Sequence, residues 1–264
     1  MARVLVCCAL LLGLAAPASA ADDRAILAHA RALYNTGDYD GALAAAEDAR
    51  RIPTQVDSAD LIAARALLER FRTTATADDL ANARDRLRRL TPDLFVDRER
   101  LEFLVGLGEA LFLDASPGAA AAVFESVLET TTAPLVEGRD LVLDWWATAV
   151  DHDARPRTEF ERQALYERVR ARMQTEIAQH PTSATAAYWA VAAARGQGDY
   201  AGAWAAAQAG WVRAVMASDR GAALRGDIDR LVLRAVIPER ARATGQSPDE
   251  LVADWEHFKE RWSR

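Results

Sequence analysis

The chain has 264 residues, 51% of them hydrophobic and 27% charged, with a formal net charge of −7. A net acidic chain lacks the basic footprint that nucleic acid or anionic lipid would require. The only cysteines, Cys7 and Cys8, sit in the N-terminal apolar stretch, so the remainder can form no disulfide, thiolate metal site or cysteine nucleophile.

Arg3 opens that stretch, "VLVCCALLLGLAA" follows it, and Ala18-Ser19-Ala20 supplies small residues at its end. A short apolar core between a positive start and a small-residue site predicts a cleaved signal peptide over residues 1–20. The mature chain then begins at Ala21, and loss of Arg3 takes the formal charge from −7 to −8. Cys7 and Cys8 precede most of the apolar core, the wrong place for an acylated lipoprotein cysteine. The expected location is the periplasm or the outside of the cell, with no membrane insertion after signal removal.

From residue 21 onward the apolar period is helical. "DLIAARALLERF" puts Leu61, Ala64, Leu68 and Phe71 on one face, and "LANARDRLRRL" does the same with Leu80, Ala83, Leu87 and Leu90. Thr76 and Asp79 read as a cap between them. Arg84, Arg86, Arg88 and Arg89 avoid the apolar stripe and read as a solvated face. No sustained two-residue alternation and no hairpin dipeptide appears, so the fold class is all-α. Expected helices span about 22–35, 39–52, 58–72, 77–90, 97–114, 117–131, 137–152, 157–179, 183–196, 200–216, 219–236 and 248–262. Pro156, in "ARPR", is the softest joint. The last helix, "PDELVADWEHFKERW", has Ser247 as N-cap with Glu250 three residues on. It carries a stripe of Leu251, Trp255, Phe258 and Trp262.

Two stretches repeat: "GDYDGALAAAEDA" at 37–49 and "GDYAGAWAAAQAG" at 198–210. A third, "LEFLVGLGEALFLDASPGAAAAVFESVLE" at 101–129, spaces Leu104, Gly108, Leu111, Ala120 and Phe124 so that small residues bring two helices close. This resembles the tetratricopeptide repeat, whose 34-residue signature runs W-x2-L-G-x2-Y, then A-x3-F, then P. Leu104 and Leu111 replace its aromatic residues, Pro134 stands two positions late, and Ala46 and Ala207 stand where it prefers Phe. Pro181 falls where the pattern expects a closing proline. The resemblance implies a right-handed α-solenoid of antiparallel helix pairs forming one domain over 21–264. Its clear units lie near 23–56, 101–134 and 184–217, and the helix at 248–262 seals the end. Gly37 and Gly198 then mark turns within a pair, Ala42, Ala120 and Ala203 are close-contact alanines, and Gly108 is expected to face Ala120. The two Gly-Asp-Tyr copies are 161 residues apart, not a multiple of 34, so some units are longer.

Catalytic patterns are missing. His29, His152, His180 and His257 are scattered, and three consecutive residues such as Asp151-His152-Asp153 do not converge on one ion by themselves. Asp144-Trp145-Trp146 reads as core anchors, with sugar stacking as the rival use. No cofactor, metal or catalytic residue is expected, and the chain reads as a non-enzymatic binding protein.

In the family it resembles, first helices line a concave groove that takes an extended peptide or a partner's helix. By register the groove candidates are Arg24, Leu27, Arg31, Tyr34 and Asn35 in the first unit. The second contributes Glu102, Val105, Glu109, Phe112 and Leu113, and the last Thr185, Tyr188, Ala192 and Arg195. The expected partner is a protein or peptide. Two other readings stay open: a solute-handling helper of a periplasmic transport system, which an enclosed pocket would favour, and an enzyme on a helical scaffold. Sequence alone identifies neither the partner nor the oligomeric state, nor the unit boundaries over 57–100 and 135–183.

Overall fold

The computed structural model describes residues 18–130, 138–217 and 219–263, with side chains from Ala25 onward. It therefore covers little of the expected leader at 1–20, and Arg24 and Pro134 also fall outside its described side chains. All elements among the described residues are helical, and the chain divides into two compact units between Thr91 and Pro92.

The first unit holds α1 (Ala18–Asn35), α2 (Tyr39–Ala49), α3 (Val56–Thr74) and α4 (Ala77–Arg89). Each packs on the next, and α1 also touches α3. The second begins with α5 (Asp97–Leu113), α6 (Pro117–Thr130), α7 (Arg139–Ala154) and α8 (Glu159–Gln179). It continues with α9 (Ala184–Gly196), α10 (Tyr200–Arg213), α11 (Ala222–Leu231), α12 (Ile237–Thr244) and α13 (Pro248–Trp262). Again neighbours pack, and α7 and α11 both touch α9. The expected spans agree within a few residues except near the end. There a π turn, Val232–Val236, carries the helix on to Thr244.

The Gly-Asp-Tyr stretches fold alike. Gly37 and Gly198 take φ of +81° and +78°, the left-handed conformation that a Cβ would oppose. The next amide turns back to close the first helix: Asp38 N–H donates to Leu33 O and Asp199 N–H to Ala194 O, both at 3.0 Å. Each Asp then caps the second helix, its carboxylate accepting from the N–H of Gly41 at 2.9 Å and Gly202 at 2.8 Å. A Cβ on either of those glycines would collide with the capping carboxylate. The motif is thus one device: a glycine to reverse the chain, an Asp to cap, and a glycine to leave room for the cap.

Ala75 and Ala115 adopt the same left-handed geometry, at φ 54° and 56°, where no glycine marks the turn. The residues just before the second helices are Asp38, Thr76, Ser116, Thr158 and Asp199. Each is of capping type, and they recur about every 40 residues along the chain rather than every 34. That longer step accounts for the separation of the two Gly-Asp-Tyr copies, which spans four such intervals.

Packing revises several details of the register. Gly108 makes room for Phe124 rather than for Ala120: a Cβ there would lie 2.6 Å from the ring. At the same register the first hairpin has Ala30 with Ala46 in one core cluster, and the α9–α10 hairpin has Val191 with Ala207 in another. In these three hairpins a glycine on the first helix goes with phenylalanine on the second, and a side chain there goes with alanine.

Arg86 is not part of a solvated face. It binds Asp60 and Glu47, and Arg50 joins the same carboxylates. Asp79 does not cap with Thr76, because Arg70 holds both its oxygens, at 2.6 and 3.1 Å. Ser247 makes no side-chain cap, and Trp262 is 48% exposed while Leu251, Trp255 and Phe258 are buried. A reciprocal capping box forms instead at Thr158 and Glu161.

Candidate functional site

In the second unit, α7, α9 and the α11–α12 helix run side by side. Ser183 Oγ donates to Asp140 and the Trp189 indole N–H to Asp144, each at 2.7 Å, so α7 and α9 ascend together. Arg195 forks onto Glu239 at 2.6 and 2.9 Å, tying α9 to α12. All three are first helices of their pairs, and their shared face bears a cleft of about 550 Å³. That volume lies in the range of small-ligand and peptide sites.

Its walls are Asp144 from α7, Thr185 and Tyr188 from α9, and Asp227, Arg230, Leu231 and Arg234 from α11 and the π turn. Burial, with the nearby charges of Asp227 and Asp144, pushes the Tyr188 phenol above its ordinary value. It therefore stays a neutral hydrogen-bond donor at physiological pH. Asp227 and Arg230 form an ion pair. Arg234, by contrast, is exposed and makes no ion pair among the described residues. Asp144 is in the opposite condition of sign: its hydrogen-bond partner is the neutral Trp189 indole, and no cation neutralises it among the described residues.

Pro238 explains the shape of one wall. Proline has no N–H for the carbonyl four residues back, and its ring crowds that carbonyl, which belongs to Arg234. The helix widens just before it: the Ile237 N–H reaches Val232 O instead, five residues back. Such single π turns recur at functional sites because they re-aim side chains without ending a helix. Here the π turn carries Arg234 and Ala235 into the cleft wall. The "IP" dipeptide is the sequence signal for this feature, and the expected span, 219–236, stops just short of it.

The groove candidates divide by location. Thr185 and Tyr188 line the cleft. Arg195 is engaged by Glu239 beside it, and Ala192 is half-buried. Glu102 and Glu109 are buried at 3% and 1% exposure, and Arg98 pairs with Glu102. Val105 is fully buried, so these three belong to packed interior rather than to an open surface. Leu113 is half-buried, and so is Phe112, which meets the His152 ring edge-on at 5.1 Å. In the first unit, Asn35 is exposed and Leu27 and Arg31 are half-buried. Tyr34 lies under the Arg65 guanidinium at 4.6 Å and beside Tyr39.

Asp151, His152 and Asp153 turn to different neighbours. Asp151 accepts from the Tyr166 hydroxyl at 2.7 Å and pairs with Arg155, while Asp153 pairs with Arg157. Burial and the Asp151 bond push the Tyr166 phenol far up, making it a fixed donor. Trp146 is fully buried, and Trp145 packs on Phe124. Among the described residues no three His, Cys, Asp or Glu side chains gather as a metal site, and no helix is long and apolar enough to cross a membrane. Sequence reasoning missed Asp227, Arg230 and Arg234, because the family register places its groove on repeat units and the α11–α12 helix lies beyond the last clear one. The chain matches no protein-family model and no curated protein.

Proposed function

We propose that this chain is an exported helical-hairpin scaffold, similar to tetratricopeptide-repeat proteins, that binds an extended segment of a partner protein in the cleft between α9 and α11. The observation that carries the reading is the pairing of a preformed cleft on first helices with lining side chains, Asp144 and Arg234, that have no ion pair among the described residues. Asp144 holds the Trp189 indole yet keeps its negative charge in the cleft wall, and Arg234 is exposed there, so both charges are open to a ligand. Tyr188 gives the cleft an aromatic anchor with a polar tip, the residue type that most often dominates binding energy. The signal-like N-terminus favours a periplasmic or secreted location.

The test is selection of peptides from a displayed random library on the immobilised chain, with Tyr188→Ala as the comparison. The reading expects binders that lose most of their affinity for the variant while its helical circular dichroism is unchanged. Binders that hold equally to both proteins would move the site elsewhere.

A further inference from the structure

We propose that the apolar groove between the end of α10 and the end of α13 is a second ligand site, which takes a long-chain carboxylate with its head at Arg213. It shares no lining residue with the cleft described above.

The groove has a volume of about 550 Å³, within the range of small-ligand sites. Val212 lies in the last turn of α10, and Val215 and Met216 follow in the 3-10 turn Ala214–Met216. The other wall is Phe258 and Trp262, one turn apart on α13, with ring centroids 6.4 Å apart. Ten large hydrophobic side chains are exposed among the described residues, and four of them, Val212, Val215, Met216 and Trp262, line this one groove. Scattered apolar exposure is ordinary, whereas exposure gathered in a concave patch marks a binding surface.

The lining decides the kind of ligand. Only Gln208 and Arg213 are polar. An extended peptide would bring several backbone N–H and C=O groups into the groove, more than these two side chains can pair. A stable protein interface engages about 20–30 residues a side; the groove offers eight. A hydrocarbon chain needs neither, and its burial takes apolar surface on both partners out of water.

Arg213 sets the polar end. It is half-buried and makes no ion pair or side-chain hydrogen bond among the described residues. It also lines a smaller notch of about 150 Å³ between α8, α9 and α10, so it stands at the border of the groove rather than in its middle. In the last turn of α10 its charge opposes the partial negative charge of that helix end. Its N–H donors nevertheless lack an acceptor, and a planar carboxylate accepts two of them side by side. A ligand with one anionic head and one apolar tail therefore satisfies both the border and the trough.

Laurate, dodecanol and dodecyltrimethylammonium share one tail and differ in the charge of the head. Each is titrated calorimetrically into the purified chain below its critical micelle concentration. Laurate is expected to saturate one site, tenfold or more tighter than the other two. From octanoate to laurate, each added methylene should tighten binding by up to about fourfold, the gain for full burial. Arg213→Gln should bring laurate down to the level of dodecanol and leave dodecanol unchanged. Met216→Asp should abolish binding of both without changing the urea unfolding midpoint, because Met216 is exposed. Val215→Asp, also at an exposed position, should do the same.

Equal affinity of laurate for the parent and Arg213→Gln would overturn the assignment of the head, and with it the proposal. Binding that survives both aspartate substitutions, or the absence of saturable binding, would overturn it as well. Binding of a Leu/Glu amphipathic helical peptide that both aspartates abolish, with no laurate bound, would overturn it in favour of protein docking.

Discussion

The helix α7 serves two charge clusters of opposite kind. At its start, Arg139 forks onto Glu176 at 2.6 and 3.0 Å, and Arg172 closes on the same carboxylate at 3.1 Å. Little more than a turn later, Asp144 reaches the cleft with only an indole N–H for company. Burial pushes the Glu176 carboxyl up, but the guanidiniums of Arg139 and Arg172 outweigh it and hold the group below the usual carboxylate value. The first cluster is saturated and reads as architecture. The second is open, and an open charge in a cleft is what recognition needs. Counting charged residues does not separate the two; tracing their partners does.

Substitution separates the clusters most sharply. Glu176→Ala leaves Arg139 and Arg172 facing each other without their carboxylate, and should cost about 3–5 kcal/mol in urea unfolding. Arg234→Ala should stay within about 0.5 kcal/mol of the parent. Similar losses for both would erase the distinction drawn here.

Gly108→Leu comes next, since the new side chain enters the space of the Phe124 ring. Overpacking should cost about 1–3 kcal/mol, and Phe124→Ala in the same chain should recover part of it. That recovery would show that glycine and ring are one unit.

A smaller effect tests the repeated turn. Gly41→Ala should cost about 1 kcal/mol, because the methyl group displaces the Asp38 cap. In an Asp38→Ala background the same change should reverse sign and stabilise, since alanine favours helix over glycine by about 1 kcal/mol. An unchanged sign would mean that the cap and the glycine are independent.

The acid limb gives the finest discrimination. A carboxyl whose folded pKa is depressed contributes stability fully above its ordinary value of 4.5, and loses it as pH falls through the folded value. The stability gap between the parent and Glu176→Gln should therefore be constant near neutrality and shrink below about pH 4.5. A gap independent of pH would detach Glu176 from its arginines.

Much of the fold was legible. Period and capping residues placed nearly every helix, because apolar spacing and short polar breaks are local properties. The cleft was only half legible. Tyr188 and Thr185 followed from register, while Arg234 depended on Pro238 acting at a distance of four residues inside a continuous helix. Glu102 and Glu109 were misread for the complementary reason: sequence shows that a residue is charged, not that the fold buries it. Arg86 looked solvated because its partners, Asp60 and Glu47, are 26 and 39 residues away.

The most direct test of the peptide cleft is amide hydrogen exchange on the full chain, with and without saturating peptide from the library selection. The account predicts added protection concentrated over 184–188 and 224–237, and little change at the apolar groove formed by Val212, Val215, Met216 and Trp262. Protection confined to that groove, or to α1 and α3, would contradict it.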